Sequence, residues 1–427
     1  MDILAIVSEE VKEIFSSVIC DDSVSLEMLE RDVLDAARQL GRKVLEECFS
    51  ARATDVSPVS VDCPDCKGTL RRFRQCRRYV ETLCGAVRVS RWVYRCDGCG
   101  HYHVPWDADE GLKDGYTVSV AKAMCRLSAR MDFREASEEL AHHGIRISHT
   151  MLQQKVQQWS EGMSVSDYVN QQALEVGSRW YVSADGVHTL AQDGTYHEVK
   201  VGCLYRDYPQ LDLKSVASAR TKSLRYVACQ SDAASFGEQW FDLATASGIY
   251  NDATDSEEVV VIGDGAAWIW NLSEEYFPGA VEIVDYMHAK SHLYDVAKQA
   301  FGETSRDTIE DWVKTTEPFL FAGDTQEVIV HIRALGVGNS TLSEMLQREA
   351  GYFQKHAKRM QYQRFVENGY HIGSGLIESA CKHVVAQRCK QASMKWSRTG
   401  INAILFWRCL LKNGASDAFW DKQSNAA

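Results

Sequence analysis

The stretch Val259-Val-Val-Ile-Gly-Asp264-Gly265 indicates the fold class, because it is apolar on both faces and ends in Asp-Gly. A strand with two apolar faces belongs in the interior of a sheet that other elements cover on both sides. An earlier run, Trp180-Tyr-Val-Ser-Ala-Asp185-Gly186, has the same form. Ligands in α/β sheets bind where strands end. The two runs therefore predict an α/β domain with Asp185 and Asp264 at strand ends.

A third acid, Glu378, lies in the first turn of the predicted helix Gly373-Ser-Gly-Leu-Ile-Glu378-Ser-Ala-Cys-Lys382. Three carboxylates can hold two Mg²⁺ ions if one carboxylate bridges, since Mg²⁺ prefers oxygen ligands. Two ions about 3.5–4 Å apart stabilise the attacking and leaving oxygens of a phosphoryl displacement. Each acid alone has an ordinary interpretation: Asp-Gly is a common turn, and Glu378 could pair with Lys382 four residues later. The combination points to metal-dependent breaking and joining of DNA strands.

Further strand-like runs surround the two acidic runs, and they are Glu198–Tyr205, Leu213–Ala219 and Val281–Val284. Helix-like runs such as residues 235–244 lie between them. Hairpins followed by alternating helix and strand predict a mixed sheet with helices on both faces. Residues 286–370 are mostly helical in pattern. Trp268 and Trp270 follow the second acidic turn and could stack on a nucleobase or belong to the core.

Two Cys-x-x-Cys pairs precede this domain, and 29 residues separate them: Cys63, Cys66, Cys96 and Cys99. Paired knuckles of this kind suit a tetrahedral zinc ion, because each supplies two thiolates from one tight turn. The interval contains two strand-like runs with a glycine between them, so the pattern is that of a zinc ribbon. The alternative is two unrelated cysteine pairs. Other candidate ligands lie nearby, namely Cys76, Cys84, His101 and His103.

Residues 117–163 have a helical pattern. A helix is predicted over Met131–Gly144, and Thr150-Met-Leu-Gln153 fits a capping box that opens a second helix through Trp159. Helix, short turn and capped helix are the helix-turn-helix layout. The second helix offers polar side chains that could reach base edges or phosphates, in particular Gln153, Gln154 and Lys155. The alternative is an ordinary helical hairpin.

The net charge is −12, from 47 basic and 59 acidic residues, yet two segments are basic. The predicted DNA contacts in the cysteine-rich segment are Arg71, Arg72, Arg74, Arg77 and Arg78. Those after Glu378 are Lys382, Arg388, Lys390, Lys395, Trp396 and Arg398. Basic segments on an acidic protein can attract phosphate locally and limit non-specific binding. The alternative is two ordinary solvated faces.

Near the N-terminus, apolar residues at helical spacing form one stripe that could pack on the rest of the chain or on a second copy: Leu29, Val33, Ala36, Leu40 and Val44. No apolar run approaches the roughly 20 residues that a bilayer span needs. The first residues mix acids with apolar side chains and do not form a signal peptide. Fourteen cysteines without an export signal argue against disulfides. We expect a cytoplasmic, nucleoid-associated protein of a prokaryotic cell that has no membrane partner.

Four segments together resemble the ISKra-type insertion-sequence transposases. They are Asp264-Gly-Ala-Ala-Trp-Ile-Trp-Asn271, Phe277-Pro-Gly-Ala280, Ile283-Val-Asp-Tyr-Met-His288 and the segment around Glu378. The resemblance implies an RNase H-like core with Asp185, Asp264 and Glu378 as its catalytic triad. It also implies a helical insertion between the last two acids, as in Mutator-like relatives. Asp285 and His288 match an Asp-x-x-His element of that wider group and are possible catalytic support.

The fold expected from these observations is α/β, an RNase H-like mixed sheet with a helical insertion. It follows an N-terminal helix, a zinc ribbon and a helix-turn-helix-like region. The predicted boundaries are 1–55 for the N-terminal helix, 56–106 for the ribbon, 107–175 for the helical DNA-binding domain, 176–290 for the first part of the core, 291–370 for the insertion and 371–427 for the rest of the core.

The expected function is that of a DNA transposase that binds terminal inverted repeats and catalyses strand cleavage and strand transfer. Its expected cofactors are two Mg²⁺ ions, for which Mn²⁺ could substitute, and a structural Zn²⁺. The expected partners are double-stranded DNA, as transposon ends and target, and further copies of the chain in a dimer or higher oligomer. The alternatives are an RNase H-like nuclease without strand transfer and a domesticated transposase that acts as a DNA-binding regulator.

Overall fold

The computed structural model describes residues 25–170, 179–207, 223–250, 258–336 and 340–425, together with Ser8, Val11 and Lys12. The predicted strand Leu213–Ala219 lies outside these residues. The chain divides into two compact units. The first unit contains the described residues of Met1–Trp159 and Ser416–Ala427, and the second those of Ser160–Ala415.

The first unit begins with the predicted N-terminal helix, α1 (Leu26–Ala51), which a π-helical turn, Arg52–Val56, extends. The Ser25 side chain caps the start of α1 by accepting a hydrogen bond from the Met28 N–H. None of the side chains of α1 is buried. Of the apolar stripe, Val33 is 45% accessible, whereas the other four residues are half-buried; Leu26, outside the stripe, is 84% accessible.

A four-stranded antiparallel sheet follows, in the order in which its strands occur. They are β1 (Ser60–Asp62), β2 (Thr69–Thr82), β3 (Gly85–Cys96) and β4 (Tyr102–His103). β2 and β3 form a long hairpin whose turn ends at Gly85, where φ is +101°, a value that favours glycine. Valines of this hairpin pack with Ala53 and Trp106 into a small apolar core.

The helical part of the first unit contains α2 (Pro105–Asp109), α3 (Val118–Ser128), α4 (Phe133–His142) and α5 (His149–Gln158). A C-terminal helix, Ser416–Asn425, belongs to this unit as well. Our sequence-based boundaries had grouped it with the catalytic core. Its Trp420 is buried and meets the Trp159 ring edge-on at 6.4 Å. The contact between these two rings therefore packs the C-terminal helix against the end of α5 within the first unit.

The predicted second helix of the helix-turn-helix-like region begins earlier than its sequence suggested. Ser148 is the N-cap of α5, and its hydroxyl accepts a hydrogen bond from the Met151 N–H at 3.2 Å. Thr150 lies inside the helix, so the predicted capping box at Thr150 is wrong. Ser148 and Thr150 both have a hydroxyl group that can cap a helix. Ser148 lies at the end of the extended segment and has the backbone angles that an N-cap requires.

The second unit contains a mixed five-stranded sheet in the order β7-β6-β5-β8-β9. Its strands are β5 (Arg179–Leu190), β6 (Tyr196–Asp207), β7 (Arg225–Cys229), β8 (Glu258–Gly263) and β9 (Val281–Val284). β6 pairs antiparallel with β5 and β7, whereas β5, β8 and β9 are parallel. The all-apolar run of β8 lies inside the sheet, as its sequence predicts.

Helices surround this sheet, and most of the described ones lie between the second and third predicted acids. They are α6 (Ala233–Ser247), α7 (Ala267–Tyr276), α8 (Tyr286–Phe301), α9 (Arg306–Ala322), α10 (Thr325–Leu335), α11 (Ser340–His356), α12 (Tyr362–Glu367), α13 (Gly375–Ala380), α14 (Gln387–Cys389) and α15 (Arg398–Lys412). A π-helical turn, Cys381–Ala386, joins α13 to α14.

Both faces of the sheet are covered, as the sequence predicts for a mixed sheet. A Cβ at Gly202 of β6 would come within 2.6 Å of the Trp240 ring of α6, so this helix packs closely on one face. Gly202 pairs with Ala184, and the next residue, Asp185, contacts Cys381. Neighbouring residues of a strand point to opposite faces, so Trp240 and Cys381 lie on opposite sides. Among the described residues, no helix is both long and apolar enough to cross a membrane.

Candidate active site and candidate metal centre

All three acids of the predicted triad line one cleft of about 340 Å³ in the second unit. Asp185, Asp264 and Glu378 share it with Asp285 and His288, the two predicted supporting residues. The remaining lining residues are Ala184, Met287, Ser291, Ser374 and Ile377. Acids that are 79 and 114 positions apart along the chain therefore meet at one concave surface.

The strand register explains why Asp185 and Asp264 are neighbours. β5 and β8 run parallel, and their last paired residues are Ser183 and Ile262. Asp185 and Asp264 each lie two residues beyond that pair. At this level β8 has ended at Gly263, so a gap opens beside β5. Both carboxylates stand at this gap, where a parallel sheet leaves room for ligands.

The structure corrects one expectation about the first strand. We expected it to end at Asp185-Gly186, but β5 continues to Leu190 and pairs with β6 over its full length. Only the pairing with β8 stops before Asp185. The first acid is therefore held in the middle of a strand, with one side of the backbone bonded to β6 and the other side open.

Burial raises the pKa of the Asp185 carboxyl above its ordinary value, and the nearby negative charge of Asp264 adds to this effect. The Gly186 N–H, which donates to Asp185 Oδ1 at 2.6 Å, acts in the opposite direction. Two carboxylates that repel each other across a partly buried gap are an arrangement that a divalent cation would relieve.

An Asp185→Asn variant is expected to be more stable than the wild-type protein at pH 7 in a chelating buffer. Because the pKa of Asp185 is raised on folding, its ionisation costs stability as the pH rises above the ordinary value of 3.8. The gain should therefore shrink as the pH falls towards 4. Denaturant unfolding at several pH values measures it.

An Asp193→Asn variant is the matched control, because hydrogen bonds from Thr195 lower the pKa of this exposed carboxyl. It is expected to show no stabilisation at pH 7. Equal stability changes in the two variants would contradict the electrostatic account of Asp185.

Asp264 is held by a tight turn beneath an aromatic ring. Its Oδ1 accepts a hydrogen bond from the Ala266 N–H at 2.9 Å, and its carbonyl accepts one from the Tyr352 hydroxyl at 3.1 Å. Gly265 has φ +105°, and a Cβ there would lie 2.7 Å from the Tyr352 ring. Tyr352 belongs to α11, so the helical segment between the acids contacts the turn that carries the second acid.

A Gly265→Ala variant is expected to lose about 1–3 kcal/mol of stability from backbone strain and about 1–3 kcal/mol more from overpacking against Tyr352. Gly279→Ala is the matched control: its φ is +82°, but no atom lies within 4 Å of the added Cβ. Denaturant unfolding should show a clearly larger loss for Gly265→Ala. Equal losses in the two variants would mean that Tyr352 does not restrict this turn.

Asp285 is buried, with 3% of its surface accessible, and both of its carboxylate oxygens are used within the protein. Oδ1 accepts a hydrogen bond from the His288 N–H, and Oδ2 accepts one from the Ser374 N–H, each at 2.5 Å. The Tyr286 N–H also donates to the Ile372 carbonyl. Asp285 thus caps α8 and ties it to the segment that enters the Glu378 helix, so it is a positioning residue.

An Asp285→Asn variant is expected to lose about 1–3 kcal/mol of stability, because one backbone N–H would face the new amide group instead of an acceptor. Asp324→Asn is the control, since this exposed N-cap of α10 serves only the Glu327 N–H and Asn caps helices equally well. Chemical denaturation of both variants makes the comparison. A loss no larger than that of the control would remove Asp285 from its tethering role.

His288 lies in the first turn of α8, not on the preceding strand. Its ring centroid is 5.0 Å from that of His292, whose ring stacks on Tyr352 at 4.0 Å and whose Nδ1–H donates a hydrogen bond to Glu349 Oε2 at 2.9 Å. The nearby His288 lowers the pKa of Asp185 and so opposes the effect of burial. It therefore stands where it can contact an acid or a phosphate.

Glu378 reaches the cleft from α13, and the residue that follows this helix contacts Asp185. Cys381, one turn later, has its Sγ 3.5 Å from Asp185 Oδ2. Residues three apart lie on one face of a helix, so Glu378 and Cys381 face the same side. The π-helical turn that follows is fixed by buried Arg408, whose guanidinium donates to the His383 and Val384 carbonyls. Such turns are frequent at functional sites.

The carboxylates of the cleft are more widely spaced than the ligands of a single ion. Among the described residues, the groups of three or more possible ligands whose atoms all lie within 4.8 Å of one another occur around the cysteines instead. With Mg–O bonds of about 2.1 Å and ions about 4 Å apart, oxygens on different ions can be roughly 8 Å apart.

The four predicted zinc ligands come together in the first unit, and their sulfur atoms lie within 4.8 Å of one another: Cys63, Cys66, Cys96 and Cys99. Cys63 and Cys99 are 3.8 Å apart, and Cys66 and Cys96 are 3.4 Å apart. Sulfurs of a tetrahedral zinc site with bonds of about 2.3 Å have similar separations. This cluster can hold a structural zinc. The spare cysteines, Cys76 and Cys84, are outside it.

The predicted DNA contacts in the first unit fall into two groups. Arg74, Arg77 and Gln154 are exposed, as is Arg71, which pairs with Asp97 at 2.6 Å, and Gln153 is half-buried. The other three are held by the protein. Arg72 donates to Pro58 and stacks over Trp92, Arg78 pairs with Asp107, and Lys155 pairs with Asp114.

The predicted DNA contacts of the second unit divide in the same way. Lys382, Lys390, Lys395 and Arg398 are exposed. Arg388 and Trp396 are buried, with the guanidinium 5.2 Å from the indole centroid, and the Trp396 indole N–H donates to the Cys389 carbonyl. Because both side chains are buried, neither can contact a DNA backbone, and the prediction of these two contacts is wrong. Trp270 is also buried, whereas Trp268 is half-buried.

The sequence analysis did not identify Tyr352 or Cys381, and the role of Tyr352 has no signal in the sequence. Tyr352 is 88 positions from Asp264, and aromatic residues of helices usually belong to the core. Cys381 follows Glu378 by one helical turn, and that spacing could have suggested a shared face. The β7 strand was not predicted either, although Arg225-Tyr-Val-Ala-Cys229 is a short run of strand-forming residues.

Comparison with known proteins places the chain in one family. No curated protein gave a match to it. The model of the uncharacterised protein family UPF0236 matches residues 19–318. The matched residues include the four clustered cysteines, Asp185 and Asp264, while Glu378 lies beyond them. Since the match covers more than half of the chain, this protein belongs to the uncharacterised protein family UPF0236.

Proposed function

We propose that this protein is a DNA transposase that cleaves and joins DNA strands by metal-dependent phosphoryl transfer. The observation that carries the proposal is the meeting of Asp185, Asp264 and Glu378 in one cleft. In the sequence these acids are separated by 79 and 114 positions. Their types and their common location are what a site for two oxygen-liganded ions needs.

The architecture of the second unit supports the same function. A hairpin-based sheet of three antiparallel strands continues into two parallel strands, and the first two acids stand at their junction. This is compatible with the RNase H-like core implied by the resemblance. The described residues of 291–370 are mostly helical, as expected for a helical insertion.

In this mechanism the protein supplies no nucleophile of its own. Two Mg²⁺ ions, when bound, would activate the attacking hydroxyl and stabilise the charge of the leaving oxygen. Asp185 and Asp264 would bind these two ions at the gap beside β5, next to the phosphate whose bond is broken. Glu378 would complete the ligand set from α13. Tyr352 and Asp285 keep the second acid and the Glu378 helix in position through their hydrogen bonds.

Exposed basic side chains in both units support DNA as the substrate. On the β2–β3 hairpin, Arg74 and Arg77 are exposed next to the aromatic side chains of Phe73 and Tyr79, which are 51% and 67% accessible. A two-stranded ribbon fits the major groove of DNA, and its arginines can neutralise phosphates. The exposed Lys390 and Lys395 after α13 are the corresponding cations of the catalytic unit.

The deciding experiment is a strand-transfer assay with the purified full-length chain. The substrates are the DNA ends that flank its gene, joined to a marker, and a circular target plasmid. In Mg²⁺ or Mn²⁺ we expect cleavage at the ends followed by covalent joining to the target, and neither step in EDTA. End cleavage without joining would favour a nuclease. Specific end binding without cleavage in either metal would favour a DNA-binding regulator.

Coordinated cutting of two ends also requires at least two copies of the chain on DNA, and the exposed apolar side chains of α1, Leu26, Val33 and Leu34, offer one contact surface. Multi-angle light scattering of the complex with paired ends should give the mass of two or more chains. A single chain bound to both ends would contradict this part of the proposal.

A further inference from the structure

A second set of metal ligands lies directly beside the four-cysteine cluster. Asp65 is inside the first Cys-x-x-Cys turn, His101 directly precedes the two-residue strand β4, and His103 is its second residue. Asp65 Oδ2 is 2.8 Å from His101 Nδ1 and 3.0 Å from His103 Nε2. One carboxylate oxygen thus faces two imidazole nitrogens.

Both histidines are brought to this place by β4. Its neighbour is β3, with Tyr94 opposite His103. Residues two apart on an extended segment point to the same face, so His101 and His103 both face the first knuckle. The sequence alone left these histidines open as alternative ligands of the first ion. The structure shows that they form groups of their own with Asp65.

Each of these groups includes one of the clustered thiolates. The ligand atoms of Cys63, Asp65 and His103 lie within 4.8 Å of one another, and so do those of Asp65, Cys99 and His101. His103 Nε2 is 3.9 Å from Cys63 Sγ. The thiolates nearest to Asp65, His101 and His103 are therefore those of Cys63 and Cys99, which also belong to the four-cysteine cluster.

We propose that Asp65, His101 and His103 bind a second zinc-class ion, with the thiolate of Cys63 or Cys99 shared between the two ions. One carboxylate, two imidazoles and one thiolate make the four ligands that tetrahedral zinc requires. Neighbouring nitrogen and oxygen ligands of such an ion lie about 3.3 Å apart, close to the distances of 2.8 and 3.0 Å from Asp65 to the two imidazoles. The two histidines belong to separate groups around Asp65, so their rings must move closer together to bind one ion. Small shifts of exposed side chains would suffice to bind it.

Charge favours the second ion. Four thiolates around one dication carry a net charge of −2, and Asp65 adds another negative charge. A second dication would bring the total of these ligands and ions to −1. The set is also accessible, since the His101 and Asp65 side chains are 67% and 44% exposed. An ion can therefore reach it from solvent without unfolding of the ribbon.

Zinc content of the full-length chain tests the proposal. After dialysis against excess Zn²⁺ and removal of free metal, we expect two ions per chain in the wild-type protein. A His101→Ala/His103→Ala variant should retain one. A His142→Ala/His143→Ala variant, which removes an exposed histidine pair of α4, should retain two and is the matched control. One ion in the wild-type protein, or two in the His101/His103 variant, would overturn the proposal.

A cobalt titration gives a second measurement that a folding defect does not imitate. The first equivalent of Co²⁺ should produce the strong thiolate-to-cobalt absorption of a four-sulfur site. The second should add a weaker spectrum with more nitrogen and oxygen ligands. Asp65→Asn should leave the first step intact and weaken the second at least 10-fold. A single step in the wild-type protein, or an unchanged second step in Asp65→Asn, would refute the second site.

Discussion

Replacing Asp264 by Asn, or Glu378 by Gln, is expected to abolish strand cleavage and strand transfer. Both residues line the cleft with Asp185, and each change replaces a charged ligand oxygen by a neutral amide. Metal ions contribute several kcal/mol to transition-state stabilisation, and each 1.36 kcal/mol corresponds to a factor of ten in rate. A loss of about 1,000-fold or more is therefore expected in a plasmid cleavage assay.

DNA binding separates this effect from unfolding. Affinity for the element ends and its salt dependence should stay as in the wild-type protein, because the changed residues belong to the proposed metal site and not to the proposed DNA contacts. Asp295→Asn and Glu310→Gln are matched controls on exposed faces of α8 and α9, and they should cleave normally. Normal cleavage by either cleft variant would exclude that residue from the triad.

Replacing Cys96 by Ser is expected to remove the zinc bound by the cysteine cluster and to unfold the ribbon. Cys96 is buried, and its sulfur is 3.4 Å from that of Cys66. Structural zinc contributes about 10–16 kcal/mol in small zinc-binding peptides, and the apolar core of this hairpin contains few residues. Metal analysis and limited trypsin digestion measure the effect, since the arginines of β2 and β3 become cleavable when the strands separate.

Cys76→Ser is the matched control, because Cys76 belongs to the same hairpin but lies outside the cluster. It should keep its zinc and its resistance to trypsin. Wild-type protein treated with a strong chelator should be digested in the same way as the Cys96 variant. Unchanged zinc content in Cys96→Ser would show that the four cysteines do not form the site.

Local patterns were sufficient for most elements. Three predictions are confirmed: the N-terminal helix, the place of β8 as an interior strand of the five-stranded sheet, and the clustering of four cysteines. Each depends on the spacing of residue types along the sequence. Boundaries were less certain: β5 runs past Asp185, and Ser148 rather than Thr150 caps α5. In both places a neighbouring element, the β6 partner or the preceding extended segment, decides where the element begins or ends.

Burial was the main property that local patterns did not reveal. Arg388 and Trp396 have the composition of a DNA-contacting segment, yet both are interior. The opposite holds for Arg74 and Arg77, which are exposed beside aromatic side chains. Whether a cation faces solvent depends on which distant segment packs over it, and no spacing rule contains that information.

The sequence by itself determined the residue types of the two candidate sites, three acids and four cysteines, and the strands and helix that carry them. The tertiary structure alone decided that the three acids share one cleft, that both oxygens of Asp285 are used by the backbone, and that Tyr352 lies over Gly265. The physical reason is that these contacts join segments far apart in the chain. Their geometry depends on strand register and helix packing, which only the folded chain as a whole defines.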